Sequence, residues 1–145
     1  MNSRNANSVG RSNGVYVEND FLMALVKQED WLQEPAHHAL KECDDIHTSI
    51  AAYTELLVLA YDRDSGEYQI DVGRALADLV EQVPVRPEVH EQAVLTAAVL
   101  ADDHGFTPFD AIHGGIAVAT DRPILTSERD YDDIGVDRVP LESDS

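Results

Sequence analysis

The stretches of this chain able to form β-strands are few and short: residues 15–17 (VYV), 46–48 (IHT), 123–127 (PILTS) and 138–141 (RVPL). Between them apolar residues recur at helical spacing, so each short β-branched run leads into one or more amphipathic helices. Strands separated by helices of about 10 to 15 residues argue for a parallel sheet covered on both faces. The fold expected is therefore α/β: a single-domain, three-layer α/β/α sandwich around a short, mainly parallel central sheet. The spacing predicts helices entered at Asn19 or Asp20 (FLMALV) and over residues 34–43, 49–60, 68–82, 89–101 and 108–120, with Val83, Pro84 and Val85 a brief extended segment. Gly105 follows Asp103 and His104 as a helix stop. Gly114 and Gly115 lie inside a helix, where each costs about 1 kcal/mol relative to alanine, and point to close packing. Residues 1–14, free of acids, read as a disordered leader, 15–141 as the domain and 142–145 as a tail.

At 145 residues and 43% hydrophobic, the chain has enough apolar material for one real core. No apolar run approaches the roughly 18 residues of a membrane span, and the first fourteen lack the apolar centre of a secretory signal. The single cysteine, Cys43, excludes a disulfide framework or a thiolate zinc site within one chain. With acidic neighbours and no basic activator, Cys43 reads as an inert small residue. A cytoplasmic protein is expected.

The charge balance is extreme, 28 acidic residues against 10 Lys and Arg, for a net −18. The acids are interleaved with apolar periodicity, so they do not mark disorder. Such a surface suits molar salt, where the Debye length shrinks to about 3 Å and self-repulsion is screened. In ordinary buffer the same charge opposes binding to phosphate backbones, and high salt weakens that opposition.

In an open α/β sheet the functional crevice lies at the carboxyl ends of the strands. After VYV stand Glu18 and Asp20, which the period of two puts on one side if the strand runs on. After PILTS stands Glu128, and Asp110 lies near the start of the helix in FTPFDA. Glu55, inside AAYTELLVLA, is the least expected charge, because nothing basic lies within four residues to pair with it. Each acid has an ordinary alternative: Asp20 as a helix cap worth about 1 kcal/mol, Asp110 as a complement to the helix dipole, Glu128 as a solvated surface acid. Converging on one crevice, however, they would repel one another unless a hard cation gathered them, and Mg²⁺ or Mn²⁺ takes oxygen ligands of this kind. An all-carboxylate metal site is the expectation.

The order VYVENDFLMAL, TELLVLA, FTPFDAIH and ILTSERDY resembles the PIN domain family, in particular its single-domain VapC-like ribonuclease toxins common in archaea. The resemblance runs from about residue 15 to 141. Glu18, Glu55, Asp110 and Glu128 fall where that family carries its catalytic acids, and Asp20 where it has Asn or Asp. The resemblance implies metal-dependent hydrolysis of RNA phosphodiester bonds with one or two Mg²⁺ or Mn²⁺ ions. It makes Glu18, Asp110 and Glu128 metal ligands, Glu55 a ligand or the orienter of a water, and Asp20 a supporting residue. It also implies a small antitoxin partner and a homodimer. Two departures stand out: glutamate replaces the usual aspartate at both 18 and 128. One methylene moves a carboxylate by about 1 Å where about 0.5 Å matters, so either the backbone retreats or Asp130 is the last ligand. A catalytically weakened PIN-fold binding or assembly module is the alternative.

His113, one turn after Asp110, either reaches a phosphate or metal-bound water, or is structural. Thr126 and Ser127 either bind substrate phosphate or Asp110, or cap the strand end. His90-Glu91-Gln92 stops short of a zinc HExxH motif because position 94 is Val, and GxSxG, P-loop and dinucleotide-binding patterns are missing. The charge reading has a direct test. Dilution from about 3 M to about 0.1 M KCl should loosen or unfold the domain, seen by circular dichroism and melting, whereas unchanged curves would contradict a high-salt adaptation.

Overall fold

A computed structural model describes residues 14–27, 30–86 and 91–142. Its sheet is built outward from β1 (Val15–Val17), three residues buried on both faces. Val15 and Tyr16 pair with β2 (Ile46–His47), and on the other side Tyr16 and Val17 pair with Ile124 and Leu125 of β5 (Ile124–Thr126). β6 (Arg138–Pro140) completes the order β2-β1-β5-β6, and every pairing is parallel. Proline at the end of β6 is tolerated because this is an edge strand.

Parallel neighbours need long crossovers, and helices supply them. From β1 the chain runs through α1 (Asn19–Val26) and α2 (Gln33–Glu42) to β2. It then passes α3 (Ile50–Ala60), α4 (Val72–Gln82), α5 (Glu91–His104) and α6 (Pro108–Thr120) before entering β5. The alternation along β1 sorts these helices into layers. Val15 and Val17 join a core with Phe21, Leu22, Ala36, Leu56 and Leu79 from α1 to α4. Tyr16 and Ile124 join a second core with Leu100 of α5, Ala117 of α6, Tyr131 and Ile134. The expected three-layer sandwich with a short parallel sheet is what forms.

The local departures have local causes. The helix expected over residues 68–82 begins at Val72, and Tyr68 lies instead in an antiparallel hairpin, β3 (Tyr61–Asp62) with β4 (Glu67–Tyr68). The Asp62 carboxylate accepts from the Asp64 amide, Gly66 takes φ 73° in the left-handed region, and the Tyr61 and Tyr68 rings meet edge to face. The extended segment at residues 83–85 is a single parallel bridge from Val85 to Thr48. The helix expected over residues 89–101 is described from Glu91 and runs on to His104, where Gly105 at φ 68° ends it. The Asp-rich turn between the last two strands winds into a 3₁₀ turn, Arg129–Asp133. The leader assigned to residues 1–14 and the tail assigned to 142–145 lie almost wholly outside the described residues.

At Gly115 the backbone of α5 lies close against α6. A Cβ there would stand 2.4 Å from the Ala93 carbonyl oxygen and 3.0 Å from the Ala97 amide nitrogen. Alanine would gain about 1 kcal/mol of helix propensity, but overpacking against backbone costs about 1 to 3 kcal/mol. Gly115→Ala should therefore lower the urea midpoint in high salt; a raised midpoint would show that the two helices can separate at no cost.

Candidate metal centre

The register of β1 against β5 brings position 18 beside position 126, and the local chemistry follows from that. Glu18 leaves β1 in extended conformation and caps α1, its Oε1 accepting from the Asp20 amide at 3.2 Å. Its Oε2 accepts from the Thr126 hydroxyl at 2.6 Å. Asp20, one candidate for the helix cap, sits instead in the first turn of α1. Its Oδ2 accepts from the Ser127 amide at 3.1 Å and the Ser127 hydroxyl at 2.8 Å. Thr126 and Ser127 thus serve the two acids that follow β1 rather than Asp110, and Thr126 also accepts from the Glu128 amide. Capping absorbs the extra methylene of Glu18: the longer side chain folds back on its own helix.

Glu55 finds its partner far away in sequence. His113, fully buried on α6, approaches Glu55 Oε1 with Nε2 at 2.9 Å. The other ring nitrogen, Nδ1, lies 2.8 Å from the Tyr16 hydroxyl, which is 2.7 Å from Ser49 Oγ. Asp110 stands in the first turn of α6 behind Thr107 and Pro108, and its Oδ1 accepts from the Tyr131 hydroxyl at 3.2 Å. One ligand atom from each of Glu18, Glu55 and His113 lies within 4.8 Å of the others. The sequence pointed to carboxylates alone, and the structure adds an imidazole nitrogen. Tyr16, Ser49 and Tyr131 were not foreseen; the alternation of VYV, which turns Tyr16 to the opposite face from Val15 and Val17, was the one available signal.

Electrostatics tie the remaining acids to this crevice. Burial, then the charge of Asp20, pushes the Glu18 carboxyl well above the usual carboxylate range. Glu128, though exposed, is also raised, first by desolvation and then by Asp110, Asp20, Asp130 and Glu55. The Tyr131 hydroxyl is pushed up by burial and by Glu18 and Asp110. These residues fit a hard cation, because positive charge would relieve every one of those repulsions. Asn19 Oδ1 and Asp20 Oδ1 are in addition buried without a hydrogen-bond donor. Carboxylate oxygens suit Mg²⁺ or Mn²⁺.

The raised Glu18 carboxyl makes stability depend on pH with a definite sign. Folded chain holds that proton more tightly than unfolded chain, so stability is lost as pH rises from the ordinary carboxylate range through the raised Glu18 value. Glu18→Gln keeps an acceptor for the Asp20 amide and removes the charge. It should raise the metal-free melting midpoint at about pH 7, with the gain shrinking toward about pH 4. A variant less stable at both would show that the capping carboxylate is not a liability.

Comparison with known proteins bears on this arrangement. The PIN domain family profile matches residues 15–137. Among solved structures, the crystal structure of FitAcB from Neisseria gonorrhoeae superposes with a TM-score of 0.67 at 13% sequence identity, covering 88% of this chain and 98% of that one. At that identity the likeness speaks for the fold alone. Comparison with curated proteins by sequence finds no significant match. Matched by the family profile from its first strand to the residue before its last, and folded around the same parallel sheet its own residues call for, this chain belongs to the PIN domain family.

Proposed function

We propose that this protein is a divalent-metal-dependent endoribonuclease, the toxin of a toxin–antitoxin pair, acting in the cytoplasm as a homodimer held in check by a small antitoxin. PIN domains are in general metal-dependent nucleases. The observation that carries the reading is the gathering of acids from separate stretches of the chain beyond the carboxyl ends of the two central strands, β1 and β5. Glu18 follows β1, Glu55 lies on α3, Asp110 on α6, and Glu128 follows β5. Glu128 feels Asp110, Asp20, Asp130 and Glu55, while Glu18 and Glu55 lie within one ion's reach of each other. Acids whose protonation is shifted by burial and by one another in a crevice mark a candidate functional site.

In this reading Glu18, Asp110 and Glu128 hold the ion, Asp130 being the competitor for the last position, and Glu55 holds it or orients water. Mg²⁺ or Mn²⁺, when bound, supplies the positive charge that binds a phosphodiester and makes water a nucleophile at neutral pH. Asp20, Thr126 and Ser127 keep the Glu18 side of the crevice rigid, and His113 does the same for Glu55. No helix among the described residues is long and apolar enough to cross a membrane.

A second reading, a PIN-fold binding or assembly module with weakened catalysis, draws on two observations. Both oxygens of Glu18 are already engaged within the chain. Val58 and Leu59 of α3 and Val94, Leu95 and Val99 of α5 are large apolar side chains left exposed.

The two readings separate in one set of assays, run in molar KCl with Mn²⁺ on structured and single-stranded RNA. Asp110→Asn should reduce cleavage to background while the fold is retained, since the amide keeps the shape and loses the charge. Of Glu128→Gln and Asp130→Asn, only the change at the true ligand should match that loss. Mn²⁺ at one hundred times its Kd should stabilise the parent by about 2.7 kcal/mol. A parent that cleaves no RNA but binds a partner chain tightly would establish the binding module instead.

A further inference from the structure

Four polar groups from three elements form one line, buried up to its Glu55 end: Ser49 at the cap of α3, Tyr16 in β1, His113 on α6 and Glu55 on α3. Tyr16 and His113 are about 1% and 0% exposed, so neither can exchange these partners for water. A carboxylate oxygen accepts, so in the contact with Glu55 Oε1 the donor is His113 Nε2. With its hydrogen on Nε2, the ring can take the Tyr16 hydroxyl on Nδ1. The Tyr16 hydroxyl shares a hydrogen bond with Ser49 Oγ, which also accepts from the Ala51 amide at 3.2 Å.

We propose that Tyr16 and His113 are positioning residues for Glu55: the Ser49–Tyr16–His113 line holds one oxygen of that carboxylate and so turns the other toward the cation crevice. This rests on the metal-dependent reading above and deepens it. Glu55 needs such support because, among the described residues, its carboxylate accepts from His113 and from no hydroxyl comparable to Thr126 or Ser127. The same geometry sets His113 apart from a ligand. Binding a cation through Nε2 would require that nitrogen bare and Nδ1 protonated, the opposite tautomer, and would forfeit the bond to Glu55.

The first test is spectroscopic and needs no metal. Nitrogen-15 NMR of the metal-free chain should find hydrogen on His113 Nε2, and a bare Nε2 would overturn the proposal. The second is calorimetric titration with Mn²⁺ in high salt, on variants confirmed folded by circular dichroism. Tyr16→Phe and His113→Leu should each weaken Mn²⁺ binding about tenfold or more, the range common for residues that orient metal ligands. His113→Gln places an amide N–H where Nε2 stood and should recover most of that affinity, and RNA cleavage at saturating Mn²⁺ should recover with it. Unchanged Mn²⁺ affinity in folded Tyr16→Phe and His113→Leu would reduce the line to a core contact and overturn the proposal. Failure of His113→Gln to rescue, with selective loss of Co²⁺ or Ni²⁺ binding, would overturn it in favour of an imidazole ligand. A parent chain that binds no Mn²⁺ would sink the metal-dependent reading and this inference together, whereas binding by the parent with no effect of either variant would sink the inference alone.

Discussion

The pairing of β1 with β5 is the contact on which the rest of the molecule depends. Three residues of β1 lie between β2 and β5 with no exposed face, so the strand has no freedom to shift register without turning Val15 and Val17 out of one core and Tyr16 out of the other. That register brings the Thr126 hydroxyl to 2.6 Å from Glu18 and the Ser127 amide and hydroxyl to Asp20. A backbone constraint thereby becomes an electrostatic one. Two carboxylates that would repel each other in water are held side by side by donors from the neighbouring strand.

The acids of this chain fall into two physically distinct populations. Most of the 28 lie among solvated side chains, where their mutual repulsion is spread over the surface and weakens within a few ångströms at high salt. Those in the crevice are different, because burial leaves them poorly screened. The Glu18 carboxyl is raised first by desolvation and only then by Asp20, so added salt would relieve little of its cost. A bound cation would relieve it, so the surface acids and the crevice acids answer to different counterions, dissolved salt for the first and a held ion for the second.

Helix α6 connects the crevice to the packing beneath it. Asp110 and His113, three residues apart, share one face, the first reaching Tyr131 and the second Glu55 and Tyr16. Further along, Gly115 lets α6 lie against the Ala93 carbonyl of α5. A side chain at 115 would push the helix outward and carry Asp110 and His113 with it. Close packing at a glycine and placement of the acids are two consequences of one helix position.

Much of this was legible in the sequence. The strands VYV and PILTS, the helix after Pro108 and the stop at Gly105 are local patterns, set by side-chain period and by the φ each residue allows, and they stand where the spacing places them. Glu18, Glu55, Asp110 and Glu128 could be picked out as candidates because each is an acid at a strand end, at a helix start or inside an apolar helix. What the sequence could not decide was who meets whom. His113 lies 58 residues from Glu55 and 97 from Tyr16, and no periodic pattern links positions so far apart. Whether Glu18 or Asp20 caps α1 turned on donors at the end of β5. Period and turn chemistry act over a few residues and were therefore written in the chain. Partnership between buried polar groups depends on where whole elements are brought, and only the packed structure decided it.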